Sequence, residues 1–192
     1  MIRLFIALDI PEEIIEKIIT LRNSVIANPY DYKWENPEKI HLTIKFIGEV
    51  NDNLVPEIID EISFVSAYKP FSCSFGRFGF FYSKDNPVIL WLGLNINQEI
   101  FSLERKLNDK LVKFGIKEEK RKFKPHLTLM RIKKKIDKNF LYSFENCKLP
   151  GTEFTLDSVS LIKSEFHSYL PGSNAGDSIY TQIKNYNLMG GY

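Results

Sequence analysis

The sequence predicts an α+β fold in two lobes related by a pseudo-twofold axis, and three observations carry that reading. Strands and helices alternate along the 192 residues, and a strand–helix–strand unit occurs twice. Each copy ends in a strand bearing the same tetrad, His41-Leu42-Thr43-Ile44 and His126-Leu127-Thr128-Leu129. No composition shift or linker separates the copies, so residues 1–192 read as one bilobal domain.

The first copy opens with a strand over about Arg3 to Asp9. Pro11-Glu12-Glu13 then starts a helix, with proline in the first turn and acids at the positive end of the helix dipole. Ile14, Ile15, Ile18, Ile19, Leu21 and Ile26 give it an apolar stripe that ends near Asn28-Pro29. A loop through Trp34 leads to the first tetrad strand, about Lys39 to Ile47, ending at Gly48. A second helix spans about Leu54 to Ser66, with Val55, Ile58, Ile59, Ile62 and Val65 on one face. Two strands follow, near Phe71 to Phe81 and Val88 to Leu94, and Gly76 and Gly79 predict a bend or bulge in the first.

The second copy takes Val88 to Leu94 as its first strand. Its helix runs from about Gln98 to Phe114, with Ile100, Leu103, Leu107 and Leu111 at helical spacing and Gly115 placed to cap the C-terminus. The second tetrad strand covers about His126 to Lys133, and a short helix follows near Asp137 to Glu145. The remaining chain reads as two strands, Glu153 to Phe166 and Ile179 to Tyr186, joined by the polar stretch Pro171 to Asp177.

Apolar residues make up 44% and charged residues 26% of the chain, the balance of a soluble globular protein. The N-terminal apolar run is too short for a signal peptide and nothing later approaches a membrane span, which predicts a cytoplasmic protein, by default a monomer. Cys73 and Cys147 lack CxxC spacing and read as buried free thiols. Zinc is not expected, because neither cysteine has a close second ligand and the tetrad histidines lie far apart in sequence. The net charge of +2 conceals a cluster: Lys110 to Lys138 holds 12 Lys/Arg against 3 Asp/Glu, and Arg121, Lys122, Lys124, Arg131, Lys133, Lys134 and Lys135 bracket His126. A basic rim around a polar cleft attracts a polyanion, for which nucleic acid is the natural candidate.

In a strand, His41 and Thr43 share one face while Leu42 and Ile44 take the other, and the second tetrad repeats this layout. If the two strands lie side by side, two imidazoles and two hydroxyls face one cleft. Histidine titrates nearest neutrality, so such a pair suggests one acid and one base for metal-free phosphoryl chemistry. Simple alternation puts Lys45 on the His41 face, touching phosphate or edging the sheet, and puts Arg131 on the face opposite His126, unless a bulge or twist re-aims it or it reaches around the strand end. Trp34 and Phe123 precede the tetrads, to stack on a base or pack in the core; Trp91 reads as core and His167 as structural.

At these motifs the chain resembles the 2H phosphoesterase superfamily, named for two His-x-Thr-x motifs, and in particular its RNA 2′,3′-cyclic phosphodiesterase (LigT, 2′-5′ RNA ligase) branch. The likeness rests on Arg3-Leu4-Phe5-Ile6-Ala7, Trp34 to Gly48, Leu90-Trp91-Leu92-Gly93 and Phe123 to Arg131. It implies antiparallel sheets lining a central groove with helices packed outside. It also implies His41 as proton donor, His126 as proton acceptor, and Thr43, Thr128 and Arg131 as phosphate ligands. The implied substrate is an RNA or nucleotide 2′,3′-cyclic phosphate end, opened to a 2′-phosphomonoester without cofactor or metal, with reversible 2′-5′ ligation in the same site. A non-catalytic RNA-end binder is the alternative.

Overall fold

The computed structural model describes residues 1–166 and 178–190; His167 and the stretch 171–177 lie outside them. The first half forms β1 (Ile2–Asp9), α1 (Glu12–Ser24), β2 (His41–Val50) and α2 (Val55–Ile62). Next come β3 (Phe71–Ser83), β4 (Asn86–Ile96), α3 (Glu99–Leu111), β5 (His126–Arg131) and α4 (Lys138–Glu145), and then β6 (Glu153–Leu156), β7 (Ser158–Phe166) and β8 (Ser178–Asn187). Two four-stranded antiparallel sheets result, in the orders β2-β1-β7-β8 and β5-β4-β3-β6. Both tetrad strands are therefore sheet edges, each paired to the first strand of its own copy, as the duplication requires.

Sequence and structure differ at three places in this frame. The stretch Glu153 to Phe166 is two strands in different sheets, β6 beside β3 and β7 beside β1. Asp157 breaks the run, and its carbonyl accepts from Leu188 N at 2.7 Å where the chain crosses between lobes. Strand β2 passes through Gly48 to Val50, with Gly48 at φ +82° absorbing a bulge opposite Leu4 and Phe5. The tetrad strands touch but sit in separate sheets and are not a paired ladder.

The main core is one continuous apolar body. Leu42, Ile44, Leu127 and Leu129 enter it from the backs of the tetrads, and Ile58, Ile62, Ile100, Leu103, Leu107 and Leu111 from the helices. Gly115, at φ +75°, ends the α3 region, and Asp137 caps α4 by accepting from Phe140 N at 2.8 Å. Cys73 is buried and its thiol is pushed up to about 12 by that burial; Cys147 is half-buried, and both are free.

The lobes interlock through the loops that precede the tetrads. In the first copy, Glu35 N donates to Leu129 O of β5 at 2.8 Å, while Trp34 packs on Phe140 and Phe144 of α4 and donates Nε1–H to Pro29 O. In the second copy, Lys117 O and Glu119 N reach back to Lys45 and Asn108. Trp34 and Phe123, the latter edge-on to Phe101, thus both make packing contacts.

Candidate active site

The tetrads owe their matching geometry to matching bulges. Ile6 pairs with Lys45 and Ala7 with Thr43, which leaves Ile44 as an extra residue; Leu90 pairs with Met130 and Trp91 with Thr128, which leaves Leu129. The fourth residue of each tetrad is therefore bulged, and the alternation flips phase behind it. Burial follows the same sequence in both strands: Ile44 and Lys45 are buried and Phe46 is exposed, as Leu129 and Met130 are buried and Arg131 is exposed. The bulge returns Arg131 to the His126 face, with Phe46 as its counterpart in the first lobe.

The same bulge corrects the expectation for Lys45. Its ammonium points away from His41 into the interior, only 3% exposed, donating to Asn108 Oδ1 at 2.5 Å and Lys117 O at 2.8 Å. Asn108 in turn donates to Glu104 Oε1 at 2.5 Å. Burial lowers the Lys45 pKa against the pull of Glu119, Glu104 and Glu118. Lys45 joins β2 to the second lobe and is no phosphate ligand.

His41 lies stacked on Phe5, centroids 4.9 Å apart and planes at 25°, with the Tyr180 ring edge-on at 5.5 Å. His126 meets Phe81 edge-on at 4.9 Å and Trp91 at 6.4 Å. Each imidazole hydrogen-bonds the backbone two residues upstream, His41 at Lys39 and His126 through Nδ1 at the Lys124 carbonyl, 2.7 Å away. A carbonyl only accepts, so Nδ1 of His126 carries the hydrogen and Nε2 is left for chemistry. Burial depresses both histidines, His41 to about 4, and His41 also feels the charges of Arg131 and His126. The charges of Arg131 and His126 thus reach the His41 ring from the other lobe.

Thr43 and Thr128 occupy the same faces as their histidines, beside Ala7 and Trp91 respectively. Arg131 Nε is 3.4 Å from Glu35 Oε2, which holds the guanidinium at the cleft. Trp91 departs from the expected core position: it is half-buried, outside the apolar core, and packed on Gly79 so closely that a Cβ there would sit 2.3 Å from its Cζ2. Its Nε1 is buried without a partner, and the Arg77 guanidinium lies 5.7 Å above the ring. Gly79→Ala is expected to lose about 1–3 kcal/mol through overpacking, read as a lower urea midpoint with altered tryptophan fluorescence.

Sequence reasoning missed the polar face behind His41. Asp9, its register partner, accepts from Ser158, Ser160 and Asn185 at 3.0, 2.7 and 3.0 Å, and burial raises its pKa. The signal was present in β7, where Ser158 and Ser160 alternate with Val159 and Leu161. A cavity of about 580 Å³ opens between Phe5 and Phe46 on one lobe and Arg131 and Lys133 on the other, and one of about 230 Å³ adjoins His41.

The family model for LigT-like phosphoesterases matches residues 8–91 and 93–169, taking in both tetrads. The chain belongs to the LigT-like phosphoesterases. A family member from Archaeoglobus fulgidus, an RNA 2′,3′-cyclic phosphodiesterase, is 33% identical over 69% of this chain and 74% of its own length. One of the same name from Thermotoga maritima is 29% identical over 84% of this chain and 86% of its own. In fold, this LigT-like chain superposes on the TT0787 protein of Thermus thermophilus with a TM-score of 0.78 at 22% identity, covering 99% and 100% of the two chains. Among the described residues, no helix is long and apolar enough to cross a membrane.

Proposed function

We propose that the protein is an RNA 2′,3′-cyclic phosphodiesterase that opens terminal cyclic phosphates to 2′-phosphomonoesters by paired histidine acid–base catalysis. The observation that carries this reading is the duplicated bulged strand, which presents His41 on one lobe and His126 with Arg131 on one face of the other, in tetrad strands that touch. Curated relatives bearing the activity's name support the substrate class. The exposed lysines around β5, with Lys33 and Lys39 on the cleft rim, suit an RNA strand.

In the proposed reaction the His126 Nε2 lone pair takes a proton from water as its oxygen attacks phosphorus. The bond from phosphorus to the 3′ oxygen breaks on the opposite side, and His41 Nε2–H delivers a proton to that oxygen. Thr43 and Thr128 donate to the non-bridging oxygens and Arg131 balances their charge, an electrostatic role. With a 5′-hydroxyl in place of water the same groups would join RNA ends: His126 takes the hydroxyl proton as its oxygen attacks phosphorus, the bond to the 3′ oxygen breaks, and His41 protonates that oxygen, leaving a 2′-5′ linkage.

The pH dependence follows from the electrostatics. Activity needs His126 neutral, so it falls as pH drops below that group's pKa; it needs His41 protonated, so it falls as pH rises above that group's. Both are depressed below 6.5 in the free protein, and kcat/KM reports the free protein. Its maximum is therefore expected below pH 6.5. The bound diester anion raises both pKa values, so kcat is expected to peak at higher pH; coincident optima above 7 in a full pH–rate series would contradict this.

The function itself is tested by phosphorus NMR of 2′,3′-cyclic AMP incubated with the protein in EDTA. The cyclic signal is expected to give way to a single 2′-monoester signal at an undiminished rate. A shifted but persistent cyclic signal would mean a binder and not an enzyme.

A further inference from the structure

We propose that Tyr180 is a positioning residue: its ring closes the His41 side of the cleft against water, and its hydroxyl steers the Arg131 guanidinium toward the same phosphate. The inference rests on the function proposed above and adds a residue from the last strand, far from both motifs in sequence. Tyr180 stands on β8, at the edge of the first sheet opposite β2. Its ring nevertheless meets Phe5 at 5.0 Å and His41 at 5.5 Å, edge-on to both. For side chains on opposite sheet edges to meet, the sheet must curl over its concave face, and Phe5, Ala7, Ile162 and Tyr180 form a small apolar cluster there, apart from the main core.

Tyr180 is also the side chain that connects the candidate acid to the candidate phosphate ligand. Arg131, reaching from the other lobe and held by Glu35 at 3.4 Å from the loop before β2, lines the same cavity as Tyr180; burial raises the tyrosine pKa and the Arg131 guanidinium pulls it down. The Lys39 ammonium lies 5.9 Å above the same ring, and Tyr180 lines both cavities, forming the wall between them. Charged and titratable groups face His41 from every side: Asp9 on β1, Glu38 and Lys39 before β2, His126 and Arg131 on β5, and Tyr180 itself. Two of them, His126 and Arg131, act with burial to keep the ring neutral, and the Phe5–Tyr180 sandwich supplies much of that burial.

The test compares Tyr180→Ala and Tyr180→Phe with the parent protein, without substrate. Histidine titration by NMR is expected to move His41 up by about one unit or more in Tyr180→Ala as water reaches the ring, while His126 stays put and Tyr180→Phe retains the parent midpoint. Titration with inorganic phosphate is expected to show about tenfold weaker binding in Tyr180→Phe, the scale of one lost hydrogen bond to a charged group. An unmoved His41, or His41 and His126 moving together, would overturn the shielding role; unchanged phosphate affinity would overturn the steering role. Should Tyr180→Ala fail to fold, the phenylalanine variant still decides by its phosphate affinity. Neither readout needs turnover, so failure of the proposed reaction would be seen separately, as a parent protein that titrates as expected and leaves cyclic phosphate intact.

Discussion

His126→Ala and His41→Ala are each expected to lower turnover of a 2′,3′-cyclic phosphate by about 10²–10⁴-fold, the usual contribution of a positioned acid or base, at nearly unchanged fold. Both rings sit at the cleft and not in the interior: each is flanked by aromatic side chains, and the residues that anchor the strands are the buried Leu42, Ile44, Leu127 and Leu129 behind them. The double variant should lose little more than the worse single one, because groups acting on one reaction are not additive. Initial rates paired with thermal denaturation check this. Near-parental rates in either variant would remove that histidine from the reaction.

The second large effect concerns stability. Asn108→Leu is expected to cost about 3 kcal/mol or more, because it leaves the Lys45 ammonium buried with one partner fewer. Lys45, Asn108 and Glu104 are all under a tenth exposed and form one hydrogen-bonded chain. Lys45→Met should cost much less: Met130 fills the equivalent position in the second lobe, the aliphatic volume is kept, and Glu104 retains Asn108. Urea denaturation of the two variants gives the comparison. Equal losses would show that volume and not charge governs the site.

Much of this fold can be read directly from the sequence because its signals are local. The apolar spacing of α3, the proline start of α1 and the glycine at 115 each act within a turn or two, and the elements form where those residues place them. The tetrads stand out because duplication repeats an unusual residue pair in one context. What escaped reading was set by neighbours in space. A bulge one residue after each threonine sends Lys45 inward and brings Arg131 back, a shift in pairing that composition does not announce. Asp157 separates two runs that each alternate correctly, and only the sheets they join reveal the break. Trp91 reads as core because nothing local says that Gly79 leaves a bed for it beside His126. Tyr180 carries no motif at all and gains its place through the curl of a sheet built from four distant segments.

The central claim is that two imidazoles, brought from separate lobes, grip a single phosphorus centre. A crystal structure with a bound nucleotide 2′-monophosphate tests it most directly. The expected result is one phosphate with Nε2 of His41 and Nε2 of His126 each within about 3.2 Å of its oxygens, from opposite sides. A phosphate held by one histidine alone, with the other ring turned to a different surface, would contradict the account.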